Sequence, residues 1–273
     1  MHSYPRVGDL AYWINEREAI RVRRAAGMPP PWTPDKFMAD VRYCNVSRED
    51  DKVTRYIRAS DVYSRHDTPV YRVVLARMVN RISTLDRIAT EVAGGDLHQV
   101  KAILKAIRDK GVPIWGSAYT ISTCGKSMDK VDYVIDHVVQ AFMEAGEPEY
   151  ETLQDTFEQF VCVDGFGSFL AAQVIADLKN TTGHPLARAQ DWRTFSAHGP
   201  GSLKGLAAFY GKPITPSMYP EAIRMAYDLV MPHVFIEGEP LHMQDFQNCL
   251  CEFSKYVRVS EGGHARNRYD PHH

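Results

Sequence analysis

Two glycines frame the turn Gly165-Phe166-Gly167, and Ser168 follows it at the start of a small-residue helical pattern. Glycine lets a chain turn tightly and lets another molecule approach the backbone closely. A turn of this kind delivers backbone N–H groups at the start of a helix, where they can hold a phosphate without any cationic side chain. An apolar helical pattern runs into the turn, and Ala171, Ala172 and Val174 face inward after it. Leu153–Asn180 (153–180) therefore reads as a helix-hairpin-helix that grips DNA through Gly165, Phe166, Gly167 and Ser168, the bland reading being an ordinary helical corner.

Other phosphate and metal chemistries fail on spacing. Cys124-Gly125-Lys126-Ser127 has the ending of a nucleotide-binding loop, but Thr120 stands where the first glycine of that loop is required. His98, His137, His184, His198 and His233 show neither H-x-x-x-H nor HExxH spacing, so no protein-built metal site is expected. Cys44, Cys124, Cys162, Cys249 and Cys251 form no CxxC pair and cannot supply a four-cysteine iron–sulfur loop, which leaves reduced thiols as the default.

The elements that must position the turn are helical. At 273 residues and 44% hydrophobic composition, the chain can bury a large core as one domain or two lobes. Apolar periodicity predicts helices over Asp9–Ala26, Pro34–Tyr43, Pro69–Ile82, Leu85–Ala93, Leu97–Lys110, Lys130–Ala145, Glu149–Val163, Ser168–Lys179, Pro216–Val230 and Met243–Tyr256. Val112–Ser122 is the one strand-like stretch and reads equally as an extended loop. The class is all-α, with two packed helical lobes forming a single functional domain over 1–273 and a polar, mobile tail over 259–273. A net charge of −2 excludes a broadly cationic DNA coater and confines any DNA surface to a local patch. Arg21, Arg23, Arg24, Arg266 and Arg268 are the basic residues that could extend it. No apolar run approaches the ~20 residues of a membrane span and no signal pattern opens the chain, so a cytoplasmic protein without membrane contact is expected.

The hairpin resembles that of the helix-hairpin-helix DNA glycosylase superfamily, in which an aspartate follows the second helix at about the place of Asp191. Bifunctional members carry a Schiff-base lysine two residues after the second glycine, and Phe169 stands there instead, which disfavours lyase activity. Further stretches narrow the resemblance: Trp13–Arg17, Pro31–Asp35, Arg42–Asp50, Asp191-Trp192, His198–Gly205 and Leu250–Arg258. In this order they resemble the alpha-glutamyl/putrescinyl thymine pyrophosphorylase family, phage amino acid:DNA transferases of thymine hypermodification. A sister group is the helical domain attached to 5-hydroxymethyluracil DNA kinases, whose members also need the nucleotide-binding loop that fails here.

The resemblance implies that an amine, from an amino acid such as glycine or from a polyamine, replaces pyrophosphate on 5-hydroxymethyluracil in double-stranded DNA in a host cytoplasm. Such chemistry needs a base flipped into reach, donors where the pyrophosphate charge develops, and a group to take the proton from the amine. Asp191 is the first choice as general base or amine-orienting group, against a helix-capping role, with Glu49 and Asp50 as alternatives. Arg48, Arg55, Lys204 and the Gly199-Pro200-Gly201 turn are the pyrophosphate candidates. Asn45 could read a pyrimidine edge or cap a helix, while Trp32 and Trp192 could stack on a base or pack in the core. Glu252 and Lys255 lie one helical turn apart and either meet substrate or pair with each other. No built-in cofactor is implied, and any Mg2+ would arrive on the pyrophosphate. The alternatives are a monofunctional glycosylase and the helical DNA-binding partner of a 5-hydroxymethyluracil DNA kinase.

Overall fold

Helices carry the chain, as the periodicity predicts, and among the described residues there is no strand beyond an isolated bridge at Val41. The computed structural model describes residues 4–118 and 120–264. The chain divides into two units, one continuous (Lys52–Phe195) and one assembled from both ends (Met1–Asp51 with Ser196–His273).

The continuous unit contains α3 (Lys52–Arg58), α4 (Val70–Val79), α5 (Ile82–Gly94), α6 (Leu97–Asp109), α7 (Lys130–Asp132), a π-helical segment (Tyr133–Val139), α8 (Gln140–Ala145), α9 (Leu153–Val161) and α10 (Ser168–Lys179). Every residue of α4 except Arg72 is buried, as expected for a helix packed on all sides. It packs against α5, α8, α10 and the π segment. The single helix predicted over Pro69–Ile82 ends at Asn80, whose φ of 47° is the left-handed cap that asparagine tolerates. One buried charge pair joins two largely apolar helices: Arg77 on α4 and Asp177 on α10, with Arg77 Nη2 2.5 Å from Asp177 Oδ1. Thr54 Oγ1 accepts from the same Nη2 at 2.9 Å, and Arg58 donates to the Asp177 carbonyl at 2.7 Å. This pair fixes the second hairpin helix to the central one.

The two-ended unit contains α1 (Val7–Ala25), α2 (Lys36–Ala39), α11 (Pro200–Tyr210), α12 (Tyr219–Val230) and α13 (Met243–Ser260). Leu10, Trp13, Ile14 and Ile20 give α1 its buried stripe, and it packs against α12 and α13. The Gly-Pro-Gly turn expected at 199–201 is instead the start of α11, with Gly199 as N-cap and Pro200 in the first turn, a position that suits proline. Gly201 and Gly205 lie one turn apart and let α11 lie directly on α13. A Cβ at Gly201 would sit 2.9 Å from Cys251 Sγ, and one at Gly205 would overlap the Leu250 carbonyl. Helix α13 runs to Ser260, into the stretch expected to be tail. Residues 265–273, including Arg266 and Arg268, lie outside the described residues. Among the described residues no helix is long and apolar enough to cross a membrane.

Candidate nucleic-acid interface

Helix α9 starts at the N-cap Thr152, whose hydroxyl accepts from Asp155 N, and runs to Val161. The chain then turns back through bonds from Val163 N to Phe160 O (3.1 Å) and from Phe166 N to Val163 O (3.0 Å). Gly165 makes this turn with φ +83°, and a Cβ on it would overlap the Tyr133 hydroxyl. That hydroxyl donates to the Gly165 carbonyl at 3.0 Å. Phe166 is buried against Phe142 (ring centroids 4.8 Å apart) and Phe160, so it anchors the turn in the core instead of contacting DNA as expected.

Gly167 is different. It is the N-cap of α10 with φ −75°, and a Cβ there would meet nothing within 4 Å. As a glycine it offers no side-chain cap of its own, and Phe169, two residues on, is 49% exposed. The last neighbour of the turn is Asp164, exposed, with its Oδ2 3.0 Å from Lys126 Nζ and 3.1 Å from His137 Nε2. Lys126, and after it His137, hold this carboxyl below the usual carboxylate range. Lys126 belongs to the Cys124–Ser127 stretch, which is a loop with no helix until Lys130, so the lysine serves the hairpin and not a nucleotide loop.

The aspartate–tryptophan corner after α10 ties the hairpin together from behind. Asp191 Oδ1 accepts from Leu153 N (2.9 Å) and Oδ2 from Gln154 N (3.0 Å), capping α9. The capping alternative for Asp191 is thus the one realised, since a carboxylate holding two N–H donors cannot take a proton without loosening its cap. Trp192 Nε1 donates to the Lys179 carbonyl and Lys179 Nζ donates to the Trp192 carbonyl, both at 2.9 Å. Lys179 is 1% exposed, with its ammonium 4.4 Å from the indole centroid, so Trp192 is locked beneath it and not presented to a base. Nearby His184 is buried, which pushes its imidazole down to about 4, and its Nδ1 accepts from Leu186 N at 3.2 Å. Arg55 is also in this unit, exposed on α3.

In the two-ended unit, the stretch Arg42–Asp50 is laced along one face of α13. Glu252 Oε2 accepts from Cys44 N (3.0 Å) and from Lys255 Nζ (2.8 Å), and Lys255 also donates to the Arg42 carbonyl. Asp245 Oδ1 accepts from Arg48 N at 3.2 Å, and Asn248 donates to the Asn45 carbonyl. Arg17, which closes the Trp13–Arg17 motif and could have been a solvated helix face, is buried and donates to the Cys44 carbonyl (2.9 Å) and to Asn45 Oδ1 (2.5 Å). Asn45 Nδ2 donates to the Asp50 carbonyl at 2.9 Å, so the asparagine amide braces its own loop instead of standing open to a pyrimidine. Asp50 pairs with Arg21 at 3.2 Å, and Glu49 N is held by Ser47 Oγ. Arg23 pairs with Glu16, and Arg24 lies 5.0 Å from the ring centroid of Trp32, whose Nε1 donates to Met28 O. These arginines and Trp32 brace α1 and its following turn rather than forming an unoccupied DNA patch. Lys204 is exposed on α11, while Gly201 is turned to Cys251. The structure thus gathers Asn45, Arg48, Glu49, Asp50, Glu252 and Lys255 in one unit, and the hairpin with Asp191, Trp192 and Arg55 in the other. Among the described residues, no cluster of three or more His, Cys, Asp or Glu side chains is arranged to hold a metal.

Comparison with known proteins places this arrangement. Residues 5–265 match the family model described as the 5-hmdU DNA kinase helical domain. The chain belongs to that family. A 5-hmdU DNA kinase of Bacillus phage SP10 is 28% identical over 226 residues, covering 71% of this chain and 35% of the phage protein. The chain therefore spans about a third of the length of that relative. No solved structure matches. The 5-hmdU DNA kinase helical-domain family is the one that the motif string had set beside the amine-transferring family as a sister group.

Proposed function

We propose that this helical domain engages DNA carrying 5-hydroxymethyluracil through the hairpin Gly165–Ser168 and acts in the modification of that base. Gly167 carries the reading. Gly165 must be glycine because of its positive φ and its contact with Tyr133, whereas the fold makes no such demand at Gly167. A glycine at a helix start leaves no side chain of its own between a phosphate and the backbone N–H groups. The same reading takes the fold as helix-hairpin-helix glycosylase-like, with Asp191 as the brace that sets the angle of α9 and not as the base.

The reaction we assign is amine transfer. An amine nitrogen bonds to the exocyclic methylene of the base as its C–O bond to pyrophosphate breaks. Pyrophosphate leaves with the bonding pair, and the ammonium proton passes to a carboxylate. The order of motifs supports it, as does the loop Asn45–Asp50, which offers the acids Glu49 and Asp50 beside Arg48 on a stretch held rigidly by Arg17 and α13. The deciding experiment incubates the protein with pyrophosphorylated 5-hydroxymethyluracil duplex and a panel of glycine, glutamate and putrescine, followed by nucleoside mass spectrometry. Replacement of pyrophosphate by the amine mass, with equimolar pyrophosphate release, is expected. A second reading is favoured by the phage relative, a kinase of which this chain spans only part: the domain delivers DNA to a kinase. Unchanged base mass with every amine, together with faster phosphorylation by an added 5-hmdU kinase, would establish it instead.

A further inference from the structure

The hairpin carries a negative charge where a DNA phosphate has to dock. Asp164 directly precedes Gly165, its side chain is 74% exposed, and its Oδ2 lies 3.0 Å from Lys126 Nζ and 3.1 Å from His137 Nε2, a buried nitrogen without a hydrogen bond. Three separate elements meet at that oxygen: the hairpin turn, the loop before α7 and the π-helical segment. Each is built to be there. Cys124 (φ +53°) and Gly125 (φ +80°) are consecutive left-handed residues that bend the loop just before Lys126. The π segment puts His137 against Tyr133, ring centroids 5.4 Å apart, and Tyr133 in turn holds the Gly165 carbonyl. Widened helical turns of this type recur at functional sites.

A lysine ammonium and a buried ring nitrogen that has no hydrogen-bond partner of its own face this one anionic oxygen, a seat that a phosphate oxygen could fill. The geometry points to Asp164 as an internal stand-in for a DNA phosphate, seated on Lys126 and His137 in the free protein and displaced when the strand docks at the start of α10. Gly167 lies three residues from Asp164, a separation of at most about 10 Å along the chain. One strand can therefore meet the helix start and the Lys126–His137 seat together. The seat is a second phosphate contact of the hairpin, and its self-occupancy lowers affinity for any DNA that cannot fill both places. This rests on the hairpin being the DNA grip.

The test is fluorescence anisotropy with a labelled duplex across a salt series, for the full chain and three variants whose melting temperatures are checked against it. Asp164→Asn is expected to tighten binding about fivefold to tenfold, the worth of one uncompensated charge near the surface. It should also steepen the dependence of log K on log salt by about one charge. Lys126→Gln is expected to weaken binding and to make that dependence shallower by about one. Gly167→Glu, tolerated because nothing lies near its Cβ, places a negative charge on the helix start and is expected to abolish binding. Unchanged binding in Gly167→Glu would overturn the hairpin reading itself. Weakened binding in Gly167→Glu with no tightening in Asp164→Asn would overturn the stand-in alone, as would wild-type behaviour of Lys126→Gln.

Discussion

The two glycines of the hairpin should respond very unequally to the addition of one methyl group. At Gly165 an alanine must adopt φ near +83°, a left-handed conformation that costs about 1–2 kcal/mol for an L-residue. Its methyl also overlaps the Tyr133 hydroxyl, so the buried tyrosine must shift and its bond to the Gly165 carbonyl is lost, a further ~1 kcal/mol. The sum, about 2–3 kcal/mol, corresponds to a fall in Tm of roughly 5–10 °C for a chain of this size. At Gly167 the φ of −75° suits alanine, and no atom lies within 4 Å of the added carbon. Restricting the unfolded chain gains about 0.4–1 kcal/mol, which glycine's preference over alanine at an N-cap roughly offsets, so stability should hardly change. Thermal unfolding followed by circular dichroism measures both, and a Gly165→Ala protein melting within a degree of wild type would refute the assignment of that turn. DNA affinity should move independently of stability: Gly167→Ala melts no lower yet binds more weakly, because its methyl crowds the helix start.

Three further expectations come from polar groups that the fold holds in place. His184 is held neutral by burial with a value of about 4, while in the unfolded chain it takes a proton near pH 6.5. Stability is therefore complete above that pH, declines as the pH falls, and levels off below the folded value after a loss of roughly 3 kcal/mol; His184→Asn, which keeps an acceptor for Leu186 N, should flatten this slope in urea titrations. Asp191→Ala removes both acceptors from the start of α9 and should destabilise by about 1–2 kcal/mol, and an unchanged denaturation midpoint would remove its capping role. Arg77→Met leaves buried Asp177 with only the longer contact to Arg58 (3.7 Å), at a cost of about 3 kcal/mol, whereas adding Asp177→Leu should recover most of it.

Much of this architecture was legible in the sequence, because apolar periodicity reports burial directly. The hairpin was legible for a second reason: Gly165-Phe166-Gly167 couples a conformational need to a helix start in three residues. What escaped was information carried by pairs of helices. Gly201 and Gly205 read as turn residues, although their one-turn spacing and the proline between Gly199 and Gly201 signal a helix pressed against another. Arg77 and Asp177 were hidden because a charge in a largely apolar helix has meaning only beside its partner 100 residues away. Asp191 followed a superfamily spacing to the right corner, but spacing carries no direction, and its carboxylate is turned to the start of α9. Asn45 and Trp192 were chosen for groups able to meet a base, and both spend those groups on neighbouring backbone.

Both chain ends belong to one unit, with the hairpin unit inserted between Asp51 and Ser196. On the ribosome, Leu10, Trp13 and Ile14 of α1 emerge long before α12 and α13, the helices that bury them. At about 5–20 residues per second, that exposed stripe waits roughly 10–40 s for its partners. The hairpin unit is complete in sequence well before then. Synthesis thus delivers the hairpin ahead of the loop Asn45–Asp50 in its braced form, and a chain stopped before α13 would carry the first without the second.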